Sequence, residues 1–319
     1  MKKILLRSLL TCLVIILAVI YLVQRPALVW GEAGALVQQA SAERLQQHVR
    51  YLSEQLSSRH YQDLHGLNQA ADYVAAQWQA LGLPVSRQTF EVEGVTYQNI
   101  ITHIGPETGQ WVIIGAHYDA FDELPGADDN ASGVAGLLEL ARLLQANPPP
   151  VPVELVAFTL EEPPFFASQN MGSAQHAGAL DKPVRLMISL EMIGYFSSEP
   201  DTQHYPLAAL SWLYPSTGDF IAVVDQLWSH QAAAVKKAFN QHTPLEAYSI
   251  HAPAALVGVD FSDHRNYWAQ DIPAVMITDT AFYRNQHYHT AEDTWDKLDY
   301  QKMGQVVDGV QALLHHELD

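Results

Sequence analysis

The sequence has 319 residues, of which 48% are hydrophobic, so it is long enough to bury a full core in one large domain. Its formal net charge of −18 argues against nucleic acid or an anionic membrane surface as a partner. Cys12 is the one cysteine, which excludes an intramolecular disulfide and leaves the rest of the chain without a thiolate for metal binding or catalysis.

The N-terminal segment has three basic residues within its first seven positions, followed by a largely apolar run without any charged residue from Leu9 to Val23. This pattern predicts that residues 1–35 form a signal anchor whose N-terminus lies in the cytoplasm. The alternative is a signal peptide cleaved near Ala33–Ala35. In both cases we expect residues 36–319 to form one catalytic domain on the periplasmic or extracellular side, with membrane contact through the N-terminal segment only.

Hydrophobic periodicity predicts helices that alternate with apolar strands along the rest of the chain. The predicted helices cover residues 41–56, 68–81, 131–144 and 301–315. The predicted strands cover residues 85–92, 99–104, 111–114, 153–160, 186–190, 220–224 and 274–277. Strands that alternate with helices imply an α/β fold, here a three-layer α/β/α domain around a mixed, mainly parallel sheet.

Three of the predicted strands run into side chains that can bind a metal. The strand over 111–114 is expected to break at Gly115 into a polar loop. The polar residues at these strand ends are His117 and Asp119, the pair Glu161 and Glu162, and Glu191. Because parallel strands bring their carboxyl ends to one edge of a sheet, we expect these side chains to meet there. Imidazole and carboxylate are the ligands of zinc sites that keep a position open for water.

The residue types also suggest a role for each of these side chains. The carboxylate of Asp119 can accept a hydrogen bond from the second imidazole N–H of His117, as is usual for a zinc-bound histidine. In the adjacent pair Glu161 and Glu162, one carboxylate can bind a metal while the other takes a proton from water. A solvated acidic turn is the alternative for each of these acids. His289 is one of 15 histidines, so by itself it is expected to be structural or exposed rather than a ligand.

Seven segments, in this order, resemble the co-catalytic di-zinc aminopeptidases. That family also contains glutaminyl cyclases, glutamate carboxypeptidases and the catalytically silent ectodomain of the transferrin receptor. The resemblance extends from about residue 45 to the end of the chain. The matching segments are GAHYDA (115–120), PGADDNASGVA (125–135), LEEPPFFAS (160–168), SLEMIGY (189–195), SDHRNYW (262–268), IPAVMITDT (272–280) and YHTAEDTWDKLDY (288–300).

The resemblance implies two zinc ions per chain and a role for each matching residue. His117 and Glu191 would bind the first zinc, and Glu162 and His289 the second. Asp129 would bridge the two ions and precede a cis peptide bond to Asn130. Glu161 would be the general base, and Asp119 would orient His117.

Two positions depart from the family pattern. Many relatives have Asp at the position of Glu191, which offers the same oxygens on a side chain one methylene longer, so we expect metal binding to be retained. Pro163-Pro164 stands where relatives often have a glycine-containing turn, which concerns the backbone rather than the ligands. Residues 196–218, which include Tyr205, Trp212 and Tyr214, are expected to form a loop over the site, with simple packing as the alternative.

The implied function is hydrolysis of the N-terminal residue of peptides that carry a free N-terminus. A glutaminyl cyclase on the same fold is the first alternative, but such relatives usually use one zinc, and His117 together with Glu191 favours two. A receptor-like, non-catalytic domain would have lost ligands. A carboxypeptidase or dipeptidase stays open, and Asp263-His264 could position substrate. The oligomeric state is not predicted.

Overall fold

The computed structural model describes residues 2–24, 36–56 and 58–318. The alternative cleavage site at Ala33–Ala35 lies outside the described residues. The helices are α1 (Lys2–Gln24), α2 (Ala42–Arg50), α3 (Leu64–Ala80), α4 (Gly133–Ala146), α5 (Gly172–Gly178), α6 (Gln231–His242), α7 (His264–Trp268) and α8 (Tyr300–His316). The strands are β1 (Val85–Val92), β2 (Val95–Ile104), β3 (Trp111–His117), β4 (Val153–Phe158), β5 (Val184–Glu191), β6 (Ile221–Gln226), β7 (Ala247–Ala252) and β8 (Ala274–Thr278).

The eight strands in the described part of the chain form one mixed sheet in the order β1-β2-β4-β3-β5-β8-β6-β7. The central run β4-β3-β5-β8 is parallel, and so is the pair β6-β7. The pairs β1-β2, β2-β4 and β6-β8 are antiparallel. The carboxyl ends of β3, β4 and β5 therefore lie at one edge of the sheet, as the sequence predicts.

Helices cover both faces of this sheet, which confirms the predicted three-layer α/β/α architecture. On one face the buried side chains of α2, α3, α4, α6 and α8 pack together with the strands, among them Trp78, Leu137 and Phe239. On the other face α5 and α7 cover a smaller cluster that contains Met187 and Tyr267. Since each of these side chains is almost fully buried, both clusters remove large apolar areas from water.

Short polar side chains set where the helices start. The hydroxyl of Ser41 accepts a hydrogen bond from the amide of Arg44, so α2 begins where predicted, although its last turn over Tyr51–Gln55 is π-helical. Helix α3 begins at Leu64, four residues earlier than predicted, because the carboxylate of Asp63 caps the first turn. The side chain of Asn130 accepts from the amide of Gly133 at the start of α4.

The prediction that β3 breaks at Gly115 is wrong, because the strand continues through His117. The ring of Phe158 on the neighbouring strand lies against Gly115, where any Cβ would meet it at 2.1 Å. This glycine thus serves close packing between strands rather than a turn. Strand β7 and helices α5, α6 and α7 are not among the predicted elements, and β4 ends at Phe158, two residues earlier than predicted.

Helix α1 is apolar over Leu5–Gln24, a length and composition sufficient to cross a membrane. Most of its large apolar side chains are exposed, for example Leu5 at 64% and Leu6 at 67%. Its last residues contact the edge strand β7. An apolar N-terminal helix of this kind fits the predicted anchor or signal segment.

Candidate metal centre and active site

The structure brings together all of the residues singled out at the strand ends. His117 is the last residue of β3, and Glu191 is the last residue of β5. Glu161 and Glu162 follow β4 after a short connection in which Leu160 has a positive φ of 58°. The last two members come from connections outside the sheet. They are Asp129, in the turn that precedes α4, and His289, in the loop before α8.

His117 lies at the centre of the first group. Its Nε2 atom is 3.3 Å from Oδ1 of Asp129 and 3.4 Å from Oε2 of Glu191. Oε2 of Glu161 is 3.9 Å from the same nitrogen. All of these side chains are buried at the sheet edge, so the polar atoms face one another in a small volume.

His289 forms the second group on the other side of Asp129. Its Nε2 atom is 3.0 Å from Oδ2 of Asp129 and 3.2 Å from Oε2 of Glu162. The imidazole is stacked between two rings, with centroid distances of 4.2 Å to Phe121 and 3.8 Å to Tyr288. This stacking fixes the plane of the imidazole, and sequence reasoning missed the contact with Phe121.

The chemistry of these groups fits metal ions. Nε2 of His117, Nε2 of His289 and Oε1 of Glu162 are buried, and none of their contacts among the residues that the structure describes has the geometry of a hydrogen bond. His117, Asp129 and Glu191 offer three ligand atoms within 4.8 Å of one another, and so do Asp129, Glu162 and His289. Two imidazoles and several carboxylates match the ligand preference of zinc.

The raised pKa values of the glutamates also indicate a site for a cation. Burial, followed by the nearby Asp129 carboxylate, raises the pKa of Glu162 to about 8. Burial also raises the pKa of Glu161 well above its usual value, and the charges of Glu191 and Glu162 add to this. The pKa of Glu191 is raised as well, chiefly by burial. Buried acids that repel each other are stabilised in their charged form by a cation, which is what a metal ion would supply.

Asp129 and the two histidines, in contrast, are stabilised in their charged forms. Burial alone would raise the pKa of Asp129, but the imidazoles of His117 and His289 on either side hold it well below its usual range. Burial alone would lower the pKa of His289, yet Asp129 and Glu162 raise it to about 10. The pKa of His117 is raised well above its usual value by Glu191 and Glu161 against the opposing effect of burial. The carboxylates around the two imidazoles therefore strongly favour a positive charge in the space between them.

Asp119 lies behind His117 rather than in either group. The backbone carbonyl of Asp119 is 3.1 Å from Nδ1 of His117, whereas the Asp119 carboxylate oxygen is 3.6 Å from that nitrogen. The carboxylate instead accepts hydrogen bonds from the amides of Glu161 and Glu162, at 3.3 and 3.1 Å. One residue thus contacts His117 and also holds the backbone of both glutamates.

The backbone around Asp129 is held from two sides. The carboxylate of Asp293 accepts hydrogen bonds from the amides of Asp128 and Asp129. The buried guanidinium of Arg59 donates to the carbonyls of Pro125 and Gly126 just before them. The peptide bond between Asp129 and Asn130 is cis, as the resemblance implies. Sequence reasoning missed Asp293, although it lies within the segment that matches around His289.

The other conspicuous acids in this region have supporting positions. Asp128 points away from both groups, and its carboxylate accepts hydrogen bonds from the amide of Gly194 and the side chain of Asn285. Sequence reasoning also missed Ser262, whose hydroxyl donates to Oε2 of Glu191 at 2.7 Å. The next residue, Asp263, is fully buried near Glu161, and burial raises its pKa to about 7. His264 lies 2.9 Å from the carbonyl of Val259, outside both groups.

A largely apolar cavity opens beside Glu191. Its walls come from one face of β6, β7 and β8 and from the loops around them, and eight of the lining side chains are aromatic. The aromatic lining residues are Tyr205, Tyr214, Phe220, Tyr248, Phe261, Phe282, Tyr283 and Tyr288. Tyr205 and Tyr214 belong to the segment 196–218, so part of this segment lies beside the site. Trp212 does not line the cavity and is 88% exposed.

Comparison with known proteins gives a family and close relatives. A model of peptidase family M28 matches residues 99–314. The chain is 52% identical over 286 residues to the uncharacterized protein YfbL of Escherichia coli, covering 87% of this chain and 88% of that protein. It is 25% identical over 269 residues to the probable aminopeptidase YDR415C of Saccharomyces cerevisiae, covering 78% of this chain and 66% of the yeast protein.

Solved structures show the same fold. The zinc aminopeptidase of Bacillus subtilis superposes with a TM-score of 0.70 at 16% identity, covering 88% of this chain and 97% of that one. The glutaminyl cyclase of Bacteroides thetaiotaomicron superposes with a TM-score of 0.66 at 19% identity, covering 88% and 99%. Because peptidases and cyclases share this fold, the fold alone does not separate the two activities.

Proposed function

The chain belongs to peptidase family M28, and we propose that it is a zinc-dependent aminopeptidase with two zinc ions per chain. In this proposal it removes the N-terminal residue of peptides. The position of Asp129 carries the argument, since its two carboxylate oxygens face two different imidazoles, His117 at 3.3 Å and His289 at 3.0 Å. One carboxylate between two histidines suits a pair of ions that share a ligand.

The residues that would hold the ions follow from the two groups. His117, Asp129 and Glu191 would hold the first, and Asp129, Glu162 and His289 the second. When bound, the ions supply Lewis acidity toward the scissile carbonyl and lower the pKa of water. The fit rests on the buried imidazole nitrogens, whose contacts among the described residues lack hydrogen-bond geometry, and on the raised pKa values of the neighbouring acids.

Glu161 is proposed as the general base. Its carboxylate is buried beside the first group but, at 3.9 Å, stands further from His117 than those of Asp129 and Glu191. It would take a proton from the attacking water and return it to the amine that leaves. A raised pKa makes the Glu161 carboxylate a stronger base, which favours taking the proton from water. Asp119 would keep Glu161 in place through its backbone amide.

The cavity beside Glu191 is proposed to hold the side chain of the N-terminal residue. An apolar, aromatic lining favours large apolar side chains over charged ones, because charges would lose hydration without gaining a partner. The buried carboxylates at its inner end would attract the positively charged α-amine of the substrate. The substrate class is therefore peptides with a free N-terminus and a large apolar first residue.

The N-terminal segment is proposed to hold this domain outside the cytoplasm. Helix α1 would cross the membrane as an uncleaved anchor, and residues 36–319 would form the catalytic domain. The support is the apolar helix over Leu5–Gln24 together with the basic residues that precede its apolar run.

The decisive experiment compares a free with a blocked amine. Leucyl-anilide should be hydrolysed, and N-acetyl-leucyl-anilide should react at least about ten- to a hundredfold more slowly, because the acylated nitrogen loses its contact in a confined site. N-acylated dipeptides test for carboxypeptidase action, and glutaminyl peptides test for cyclisation. Equal turnover of the free and blocked anilides would reject the aminopeptidase proposal. Cyclisation without hydrolysis would assign the protein to the cyclase activity instead.

A further inference from the structure

The carboxyl end of α1 is held by side chains of the catalytic domain. The ammonium of Lys236 donates to the carbonyl of Gln24 at 2.7 Å, and the hydroxyl of Ser249 donates to the same oxygen at 2.6 Å. Nδ1 of His251 lies 3.1 Å from the carbonyl of Val23. The last carbonyls of a helix lack partners within it and carry partial negative charge, so a cation and two further donors stabilise this end. The helix therefore leaves the domain from a fixed point on β7.

The described side chains of α1 from Leu5 to Val19 are exposed. Among the large ones, Leu5 is 64% exposed and Val19 is 52% exposed. The apolar stretch Leu5–Gln24 has 20 residues, which in a helix span about 30 Å, the thickness of a bilayer core. A bilayer that surrounds this stretch would therefore have its surface at the level of Gln24, next to the domain.

Exposed apolar side chains surround this same point. The side chain of Gln24 donates to the carbonyl of Leu213 at 2.8 Å, which places the neighbouring Trp212, 88% exposed, beside the end of α1. Leu207, in the same loop, is 53% exposed. Trp228, 72% exposed, follows β6 close to Asp225, whose carboxylate lies 3.6 Å from the ring of His251. Three large apolar side chains are thus exposed on the side of the domain where α1 ends.

We propose that Leu207, Trp212 and Trp228 form an interfacial rim that inserts into the headgroup region of a bilayer and seats the catalytic domain on the membrane. Tryptophan suits this position because its ring is apolar while its N–H keeps a polar partner, which is why it is enriched at membrane surfaces. The rim is continuous with the membrane-spanning helix through the contact between Gln24 and Leu213. The inference requires that α1 is retained as an anchor, and it does not depend on the proposed peptidase activity.

The charge of the domain selects the kind of lipid. The chain carries a net charge of −18, and Glu199, Asp201 and Asp219 are exposed in and beside the loop that bears Trp212. These carboxylates would be repelled by an anionic surface. The rim is therefore expected to engage a zwitterionic lipid surface through apolar contact rather than an anionic one through charge.

The seating also has a geometric consequence. Ser249 donates to the end of α1 and lines the apolar cavity as well, and the hydroxyl of Tyr214 donates to its backbone carbonyl. The cavity wall and the end of the anchor thus share a residue. The cavity would therefore lie close to the membrane surface and bind peptides there.

The test uses the full chain in vesicles of phosphatidylcholine whose acyl chains are brominated near the headgroup, which quench tryptophan within reach. Trp30 is the sixth residue after Gln24 in the sequence and would add a tryptophan of the N-terminal segment to the emission, so every protein carries Trp30→Phe. Trp212→Phe and Trp228→Phe should each lower the quenched fraction of the emission, and the double variant should lower it by both losses together. Trp295→Phe is the matched control, because the indole of Trp295 donates to Glu54 near α2, and it should not lower the quenched fraction.

Two further readouts complete the test. Intact mass and the melting temperature of each variant show that α1 is present and that the domain is folded. Equal quenching in the parent and in the double variant would overturn the proposal, as would removal of residues 1–35 from the protein isolated from membranes. Stronger quenching in anionic than in zwitterionic vesicles would overturn the choice of lipid.

Discussion

Glu161 and Glu162 are neighbours in the chain, yet their carboxylates face different histidines. Oε2 of Glu161 is 3.9 Å from the imidazole of His117, and Oε2 of Glu162 is 3.2 Å from that of His289. The backbone that allows this divergence is fixed by Asp119, which accepts a hydrogen bond from each of the two amides. The relationship gives the two glutamates separate tasks that substitution can distinguish.

We predict that Glu161→Gln keeps both metals and the fold but lowers kcat by about 10²–10⁴-fold, because it removes the proton acceptor and retains the shape of the side chain. Glu162→Ala should instead lower the metal content, since it deletes a ligand of the second group. Steady-state kinetics with leucyl-anilide and elemental analysis of the same preparations measure both effects. Exposed Glu199→Gln is the control for a lost carboxylate. An exchange of the two phenotypes would show that the roles within the pair are reversed.

We predict that the metal content depends on which group is broken. The protein without residues 1–35 should carry close to two zinc ions per chain and fold independently of reductant. His117→Gln and His289→Gln should each remove one ion. Asp129→Ala should remove both, because its two oxygens face both imidazoles. Elemental analysis checks the counts, and circular dichroism checks the fold. One zinc ion in fully active parent protein would contradict the two-ion proposal.

Much of this site could be predicted because metal chemistry restricts residue types and a parallel sheet restricts where they meet. The apolar strands that end on His117 and Glu191 predict one common edge, and the structure has it. The seven matching segments contributed Asp129 and His289, which lie outside the strands and which periodicity alone would not have selected.

The remaining parts depend on tertiary contacts that leave no local pattern. Gly115 is a turn signal by composition, but the ring of Phe158 on the neighbouring strand requires the glycine, and β3 continues through it. Strand β7 includes Tyr248 and Ser249, and its short, half-polar sequence reflects an edge position in which one side meets the cavity and the end of α1. Ser262 supports Glu191 across 71 residues, which no local reading reveals.

We predict that His48 contributes to the loss of stability in acid. Burial lowers its pKa from 6.5 to about 4, and its Nδ1 lies 2.7 Å from the hydroxyl of Tyr73. Between these two pH values the unfolded chain binds a proton that the folded chain does not, so the free energy of unfolding falls as the pH is lowered. The full effect of such a shift is on the order of 3 kcal/mol.

His48→Gln should flatten this dependence, because glutamine can keep a hydrogen bond to Tyr73 but does not titrate. The measurement is the free energy of unfolding of both proteins from pH 7 to pH 4. The exposed His65→Gln is the control for the loss of a histidine from the chain. Parallel curves for the parent protein and His48→Gln would contradict the prediction.

We predict that filling the cavity changes the preferred first residue of the substrate. Ala222 lies on β6 opposite Thr278 and lines the cavity with a small side chain. Ala222→Leu would occupy space that a large substrate side chain requires. The ratio of kcat/KM for phenylalanyl-anilide to that for alanyl-anilide should therefore fall by about tenfold or more, since a few methylene groups in an apolar pocket discriminate on that scale. Exposed Ala76→Leu on α3 is the control for added apolar bulk. An unchanged ratio in a folded, zinc-loaded Ala222→Leu variant would mean that the first residue of the substrate binds elsewhere.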